Sequence, residues 1–170
     1  LAKSLDLPRS SVNFNFYCDC MTQFIGESFP MENMAINYTT YSPLGVVGVI
    51  SPWNLPLYLL TWKIAPALVT GNTVIAKPSE VTPMTAYELG VICQEAGLPP
   101  GVLNLVHGDG AIIGQHLVEH PDVQAISFTG STQTGAQISK SAASSFKKVS
   151  LEMGGKNPNI IFDDANFDKA

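Results

Sequence analysis

Gly45-Val46-Val47-Gly48-Val49-Ile50, running directly into Ser51-Pro52-Trp53-Asn54-Leu55-Pro56, is the stretch on which the fold turns. A short, continuous run of Val, Ile and Gly closed by a Pro-bracketed turn reads as a buried strand. Strands apolar on both faces belong to parallel sheets, and parallel neighbours need crossover connections that are usually helices. The residues beyond supply them in alternation. A helix is expected over Leu57–Val69, with Pro66 as a kink or break. Thr73–Ala76 reads as a second strand, and Pro83–Ala96 as a helix that stops at Gly97. Val102–Val106, Ala111–Glu119, Val123–Phe128 and Ser131–Ala143 continue as strand, helix, strand, helix, and Lys148–Leu151 closes the series. The fold class is therefore α/β, a parallel sheet of βαβ units covered on both faces. Upstream, residues 9–25 read as a helix with Val12, Phe16, Cys20 and Phe24 on one face, and Met34–Tyr41 as an alternating strand ending at Ser42-Pro43.

Composition bounds the function. The chain has 170 residues, 45% of them hydrophobic and only 14% charged, so some apolar surface is expected to lie against further sequence or partner subunits. A net charge of −5, with nine Lys and Arg and no basic run longer than Lys147-Lys148, argues against a nucleic-acid partner. No apolar stretch reaches membrane-spanning length unbroken: residues 46–69 carry Pro52, Asn54, Pro56, Lys63 and Pro66. Cys18, Cys20 and Cys93 form neither a disulfide framework nor a metal-ligand pattern, so they read as reduced thiols of a cytoplasmic protein with no metal site. Leu1 in place of Met, without a signal-peptide pattern, reads as a start inside a longer protein.

In such sheets ligands bind at the carboxyl ends of the strands. After the first strand, Pro52 and Pro56 stiffen the loop that aims Trp53 and Asn54. Asn54 reads either as an oxyanion donor or as the cap of the next helix. After the second strand, Lys77 and Glu80 suit ribose hydroxyls or a phosphate, with the carboxylate favouring NAD over NADP; the plain alternative is an exposed ion pair. Phe128-Thr129-Gly130-Ser131-Thr132-Gln133-Thr134-Gly135 offers an apolar strand, a Gly turn and a hydroxyl-rich helix start, an anion site or merely a cap. In Leu151-Glu152-Met153-Gly154-Gly155, Glu152 reads as a general base at a strand end, where burial can raise its pKa, or as a solvated loop carboxylate. His107, His116 and His120 have no paired Asp or Ser motif and read as surface residues.

In this order Pro52-Trp53-Asn54-Leu55-Pro56, Ala76-Lys77-Pro78-Ser79-Glu80, Phe128-Thr129-Gly130-Ser131-Thr132 and Leu151-Glu152-Met153-Gly154-Gly155-Lys156 resemble the NAD(P)-dependent aldehyde dehydrogenase superfamily, from about Pro43 to Asp164. Within it, residues 50–63 look most like the aminomuconic and hydroxymuconic semialdehyde dehydrogenases. The resemblance implies a Rossmann-like NAD-binding domain and oxidation of an aldehyde to its acid through a Cys thiohemiacetal and thioester. Asn54 would donate to the oxyanion and Glu152 would activate water. The cofactor site would comprise Ser51, Pro52, Trp53, Lys77, Glu80, Gly110, Gly114, Phe128, Gly130, Ser131, Thr134, Met153 and Gly154. Arg9 would pair with a substrate carboxylate, an alternative to a solvated helix-start Arg.

It further implies a helical part of the NAD domain at 1–30, an oligomerisation strand at 31–43, the NAD-domain core at 44–155 and the start of the catalytic domain at 156–170. The full-length protein would be a homotetramer or homodimer acting on a small-molecule aldehyde. One departure matters: the family's nucleophilic Cys follows the Leu-Glu-x-Gly-Gly motif, and no Cys follows Glu152 here. Two rival readings remain at this level. One is a non-catalytic, crystallin-like structural descendant; the other is a dehydrogenase for another small aldehyde such as betaine aldehyde.

Overall fold

The computed structural model describes residues 2–32, 34–158 and 160–166. A π-helical turn, Ala2–Asp6, leads into α1 (Leu7–Thr22), then β1 (Ser28–Met31) and β2 (Ala35–Tyr38). Next come β3 (Val46–Ile50), α2 (Pro56–Val69), β4 (Thr73–Lys77), α3 (Met84–Glu95) and β5 (Leu103–Leu105). A second π-helical turn, Gly110–Gly114, precedes α4 (Gln115–Glu119), β6 (Val123–Gly130), α5 (Thr132–Ala143) and β7 (Lys148–Met153).

The expected parallel sheet is present, in the order β5-β4-β3-β6-β7. β3 is central, which accounts for its apolar character on both faces: Val47 and Val49 pack with α2 and α3, while Val46 and Ile50 pack against Ile126, Phe128 and the helices of the other face. Gly48 has a steric role, since a Cβ there would lie 2.7 Å from Ile126 Cδ1 and 3.0 Å from Leu117 Cγ. One core gathers Leu57, Leu60 and Ile64 of α2 with Val74, Ala86 and Leu89. The other gathers Leu117, Val118, Val123, Ile138 and Ala142. The chain walks outward from β3 to β5, then returns to the far side of β3 for β6 and β7. The direction reverses between β3 and β6, and the crevice that opens there is where ligands bind in sheets of this type.

Asn72 fixes the entry to β3. Its Oδ1 accepts from the N–H groups of Leu44 (2.7 Å) and Gly45 (3.1 Å), while its Nδ2 donates to Ala67 O (3.1 Å) and Thr70 Oγ1 (2.9 Å). One buried amide thereby joins the end of α2 to the start of the central strand.

Several local expectations change. Val12, Phe16, Cys20 and Phe24, the apolar stripe of the first helix, are exposed. The face of α1 that meets α2 carries Ser10 and Asn13, with Asp6 just before the helix, all buried. Polar inward groups are tolerated because each has a hydrogen-bond partner: Asp6 and Asn13 find theirs on α2, and Ser10 Oγ donates to the Asp6 carbonyl at 2.6 Å. The strand expected over Met34–Tyr41 is shorter and is half of an antiparallel hairpin whose other strand, β1, contains Pro30. Pro66 neither ends nor splits α2, which continues to Val69; it leaves the Trp62 carbonyl without an i+4 donor. The helix expected over Ala111–Glu119 is a π-helical turn followed by five α-helical residues. Residues 156–170, expected to begin another domain, lie partly outside the described residues. Among the described residues no helix is long and apolar enough to cross a membrane.

Candidate active site

The carboxyl ends of four strands meet in register. Ile50 is paired with Lys77 on one side and with Phe128 on the other, and Phe128 is paired in turn with Leu151. The four loops or strand extensions beyond these residues therefore leave the sheet at one level. They carry Ser51–Asn54, Pro78–Glu80, Thr129–Ser131 and Glu152–Gly154.

Two cavities open among them, sharing Pro52, Trp53, Thr129, Gly130 and Ser131 as a common wall. The larger, about 620 Å³, is also lined by Asn54, Glu152, Met153 and Gly154, and by Tyr58, Leu59 and Trp62 from α2. The smaller, about 420 Å³, brings together Ser51, Lys77, Glu80, Gly110, Gly114, Phe128 and Thr134. All the expected site residues except Arg9 line one or both.

Asn54 has lost its alternative role. The first amides of α2 are capped from the π-helical turn before α1: Asp6 Oδ1 accepts from Tyr58 N–H (2.8 Å) and Oδ2 from Leu57 N–H (3.2 Å). Asn54 stands exposed in the larger cavity and makes no side-chain hydrogen bond among the described residues. An amide relieved of capping, between two prolines, can donate to an oxygen that gains charge.

Glu152 is not beyond a strand end. β7 runs through it, opposite Thr129, because pairing with β6 extends to Gly130 and Met153. The side chain is exposed in the cavity, without the burial that the sequence reading allowed for. Beneath it lies Lys63, only 5% exposed although it sits on the apolar helix α2. Its Nζ donates to Ser127 Oγ at 3.2 Å. Burial pulls the Lys63 ammonium below its usual range, and the Glu152 carboxylate partly restores it. Sequence reasoning missed Lys63; the signal was a single charge among the apolar residues of Leu57–Val69.

Gly130 also departs from its expected part. It is the last residue of β6, not a tight turn, and its missing side chain clears the Phe128 ring, with which a Cβ would overlap. Ser131 caps α5: its Oγ accepts from Thr134 N–H at 3.1 Å. The first turn of α5 leaves further N–H groups without intrahelical partners at the positive end of the helix dipole.

In the smaller cavity Lys77 is 2% exposed, so the exposed ion pair is excluded as a reading. Its Nζ donates to Pro78 O (3.1 Å) and Glu80 Oε2 (3.0 Å). The Glu80 carboxyl is held below the usual range first by its own backbone N–H and then by Lys77. Ser51 Oγ is buried here without a hydrogen-bond partner, a group with capacity to spare for a ligand hydroxyl. A buried cation with an exposed carboxylate, an orphaned hydroxyl and a helix N-terminus fit the ribose and pyrophosphate of a dinucleotide.

Arg9, on α1, lines neither cavity. Its guanidinium lies 5.4 Å from the centre of the Tyr58 ring, and Tyr58 lines the larger cavity. The three cysteines lie elsewhere: Cys18 and Cys93 line a groove between α1, α2 and α3, and Cys20 is exposed on α1. Burial pushes the Cys93 thiol up.

Comparison with known proteins agrees with the α/β fold. The profile of the aldehyde dehydrogenase family matches residues 1–170. The chain is 54% identical over 170 residues to the human 2-aminomuconic semialdehyde dehydrogenase, covering 99% of this chain and 35% of that one. It is 51% identical over 175 residues to the 2-hydroxymuconic semialdehyde dehydrogenase of Pseudomonas sp. (strain CF600), covering 100% and 36%. The NAD+ complex of an aldehyde dehydrogenase from Bacillus cereus superposes with a TM-score of 0.90 at 42% identity, over 99% of this chain and 34% of that one. The chain spans about a third of the length of these relatives. It belongs to the aldehyde dehydrogenase family.

Proposed function

We propose that this member of the aldehyde dehydrogenase family is the NAD-binding portion of a longer enzyme that oxidises an acidic semialdehyde, such as 2-aminomuconic semialdehyde, to the carboxylic acid. The observation that carries this reading is the gathering of Asn54, Glu152, Gly130 and the Ser131 helix cap around one cavity, with Lys77, Glu80 and Ser51 in the next. The substrate class is supported by the names of the semialdehyde dehydrogenases above and by Arg9 beside the aromatic wall.

Lys77, Glu80 and Ser51 would hold the adenosine ribose, Gly110 and Gly114 would line the adenine side, and Gly130, Ser131 and Thr134 would hold the pyrophosphate. Trp53 and Phe128 would shape the cofactor cleft, with Pro52, Met153 and Gly154 completing its lining. Bound NAD supplies the hydride acceptor. A thiol from sequence beyond this chain would attack the aldehyde, and the Asn54 amide would donate to the oxygen as it gains charge. Glu152 would then take a proton from the water that releases the acid from its thioester. The exposed apolar hairpin, with Phe29, Met31, Ile36 and Tyr38, would pair subunits into a homo-oligomer.

The test is NADH formation by the full-length protein with an acidic semialdehyde, together with thermal unfolding with and without NAD. NAD-dependent stabilisation that is lost in Lys77→Ala, plus aldehyde turnover, is expected. A protein that oxidises no aldehyde and gains nothing from NAD would refute the reading.

A further inference from the structure

Three residues of the first helical segment converge on one residue of α2. Asp6 Oδ1 accepts from the Tyr58 N–H at 2.8 Å, and Asn13 Nδ2 donates to the Tyr58 carbonyl at 3.0 Å. Between them in sequence, Arg9 lays its guanidinium over the Tyr58 ring, 5.4 Å from the centroid. The backbone of Tyr58 is thus held from both sides by buried polar groups, and its ring is steadied by an edge-on contact with Trp62, centroids 5.4 Å apart. Both rings line the cavity that contains Asn54 and Glu152.

The acid nearest Arg9 in sequence is spent elsewhere. Asp6 gives both oxygens to the first amides of α2, and Arg9 has no ion pair among the described residues, where the salt bridge present is Lys77–Glu80. A guanidinium placed over an aromatic ring still has N–H groups to give, and those match a carboxylate in bidentate geometry. The cation is therefore oriented but unneutralised.

We infer that Tyr58 is a positioning residue: it mounts Arg9 beside the Asn54–Glu152 cavity, so that the cavity selects aldehydes bearing a second, remote carboxylate. This rests on the acidic-semialdehyde reading above. The rigid mount matters because a flexible Arg would lose rotamer freedom on binding, and a preoriented one has lost it already. Selection then falls on binding of the acid, not on the chemical step, since the remote carboxylate is bound alike before and during reaction.

The test compares 6-oxohexanoate with hexanal, which differ in the terminal carboxylate, as substrates of the full-length protein at saturating NAD. The wild type is expected to favour the acid in kcat/KM, and Arg9→Gln to abolish that preference. Tyr58→Leu should lower the preference about fivefold, through the KM of the acid and with its kcat within about twofold. Tyr58→Phe keeps the π face and should keep most of the preference. In the Arg9→Gln background, Tyr58→Leu should change the ratio no further. A preference removed by Arg9→Gln but untouched by Tyr58→Leu overturns the inference and leaves the acidic-substrate reading standing. Parallel losses on both substrates, or additive effects of the two substitutions, mark Tyr58 as merely structural and also overturn it. A wild type indifferent to the carboxylate sinks the acidic-substrate reading and this inference together. Should Tyr58→Leu not fold, Tyr58→Met, long but without a π face, decides in the same way.

Discussion

Glu152 and Asn54 line the same cavity, and the parts proposed for them would separate in time. If Glu152 activates water for release of the acid, Glu152→Gln should cut steady-state turnover about 10²–10⁴-fold. A rapid single-turnover burst of NADH should survive, because hydride leaves before water enters. Stopped-flow absorbance distinguishes the two, and a burst lost in proportion to turnover would move Glu152 to an earlier step. The carboxylate of the smaller cavity, Glu80, makes a prediction in pH. The Glu80 carboxyl is depressed by its own N–H and by Lys77, so its contribution to stability is present above the unfolded pKa and lost as pH falls through the lower folded value. The melting-temperature gap between wild type and Glu80→Gln should be steady from about pH 5 upward and close below about pH 4. Because Glu80 is 53% exposed, that gap is small, and a gap that persists unchanged in acid would show that the pair contributes nothing. These residues were legible in the sequence by type, and Asn54 and Glu80 also by place after a strand, whereas Glu152 lies within β7. The capping of α2 by Asp6 was not legible, since its partners lie 51 and 52 residues away.

At the level of elements, periodicity reports the strands well and the first helix badly. β3, β4 and β6 read correctly because strands buried on both faces need apolar residues throughout. The helix α1 misled because its inward face is polar: Ser10 and Asn13 meet α2 while Phe16 and Phe24 face outward. A hydrophobic stripe marks the core side only when the neighbour is apolar, and α2 offers α1 its carbonyl and hydroxyl groups at Tyr58 and Thr61 instead. The strand ends were drawn short at Lys77, Gly130 and Met153 because polar and glycine residues imitate loops, whereas ladder pairing with a neighbour carries strands through them. Junctions such as Asn72 carry much of the specificity between elements. Asn72→Ala leaves the Leu44 and Gly45 amides unpaired and should destabilise the fold by about 1–3 kcal/mol, read as a lower urea midpoint at unchanged slope. A change within experimental error would mean that water replaces the amide at no cost.

For the molecule as a whole, the hairpin of β1 and β2 stands apart, with every residue of both strands exposed and Phe29, Met31, Ile36 and Tyr38 among them. If it joins subunits, Ile36→Asp in the full-length protein should shift sedimentation to a smaller species while the NAD-dependent rise in melting temperature remains. An unchanged assembly would release the hairpin from that role. The sequence by itself determined the alternation of strand and helix and the residue types gathered at the strand ends, because both are written in neighbouring residues through side-chain periodicity, prolines and glycines. Only the tertiary structure decided the strand order, and with it the reversal between β3 and β6 that sets Lys77, Ile50, Phe128 and Leu151 side by side. Only it decided that Asp6, Arg9 and Asn13 meet at Tyr58. The reason is physical: these contacts join segments far apart in the chain, and their partners are selected by packing across the whole core, which no local pattern encodes.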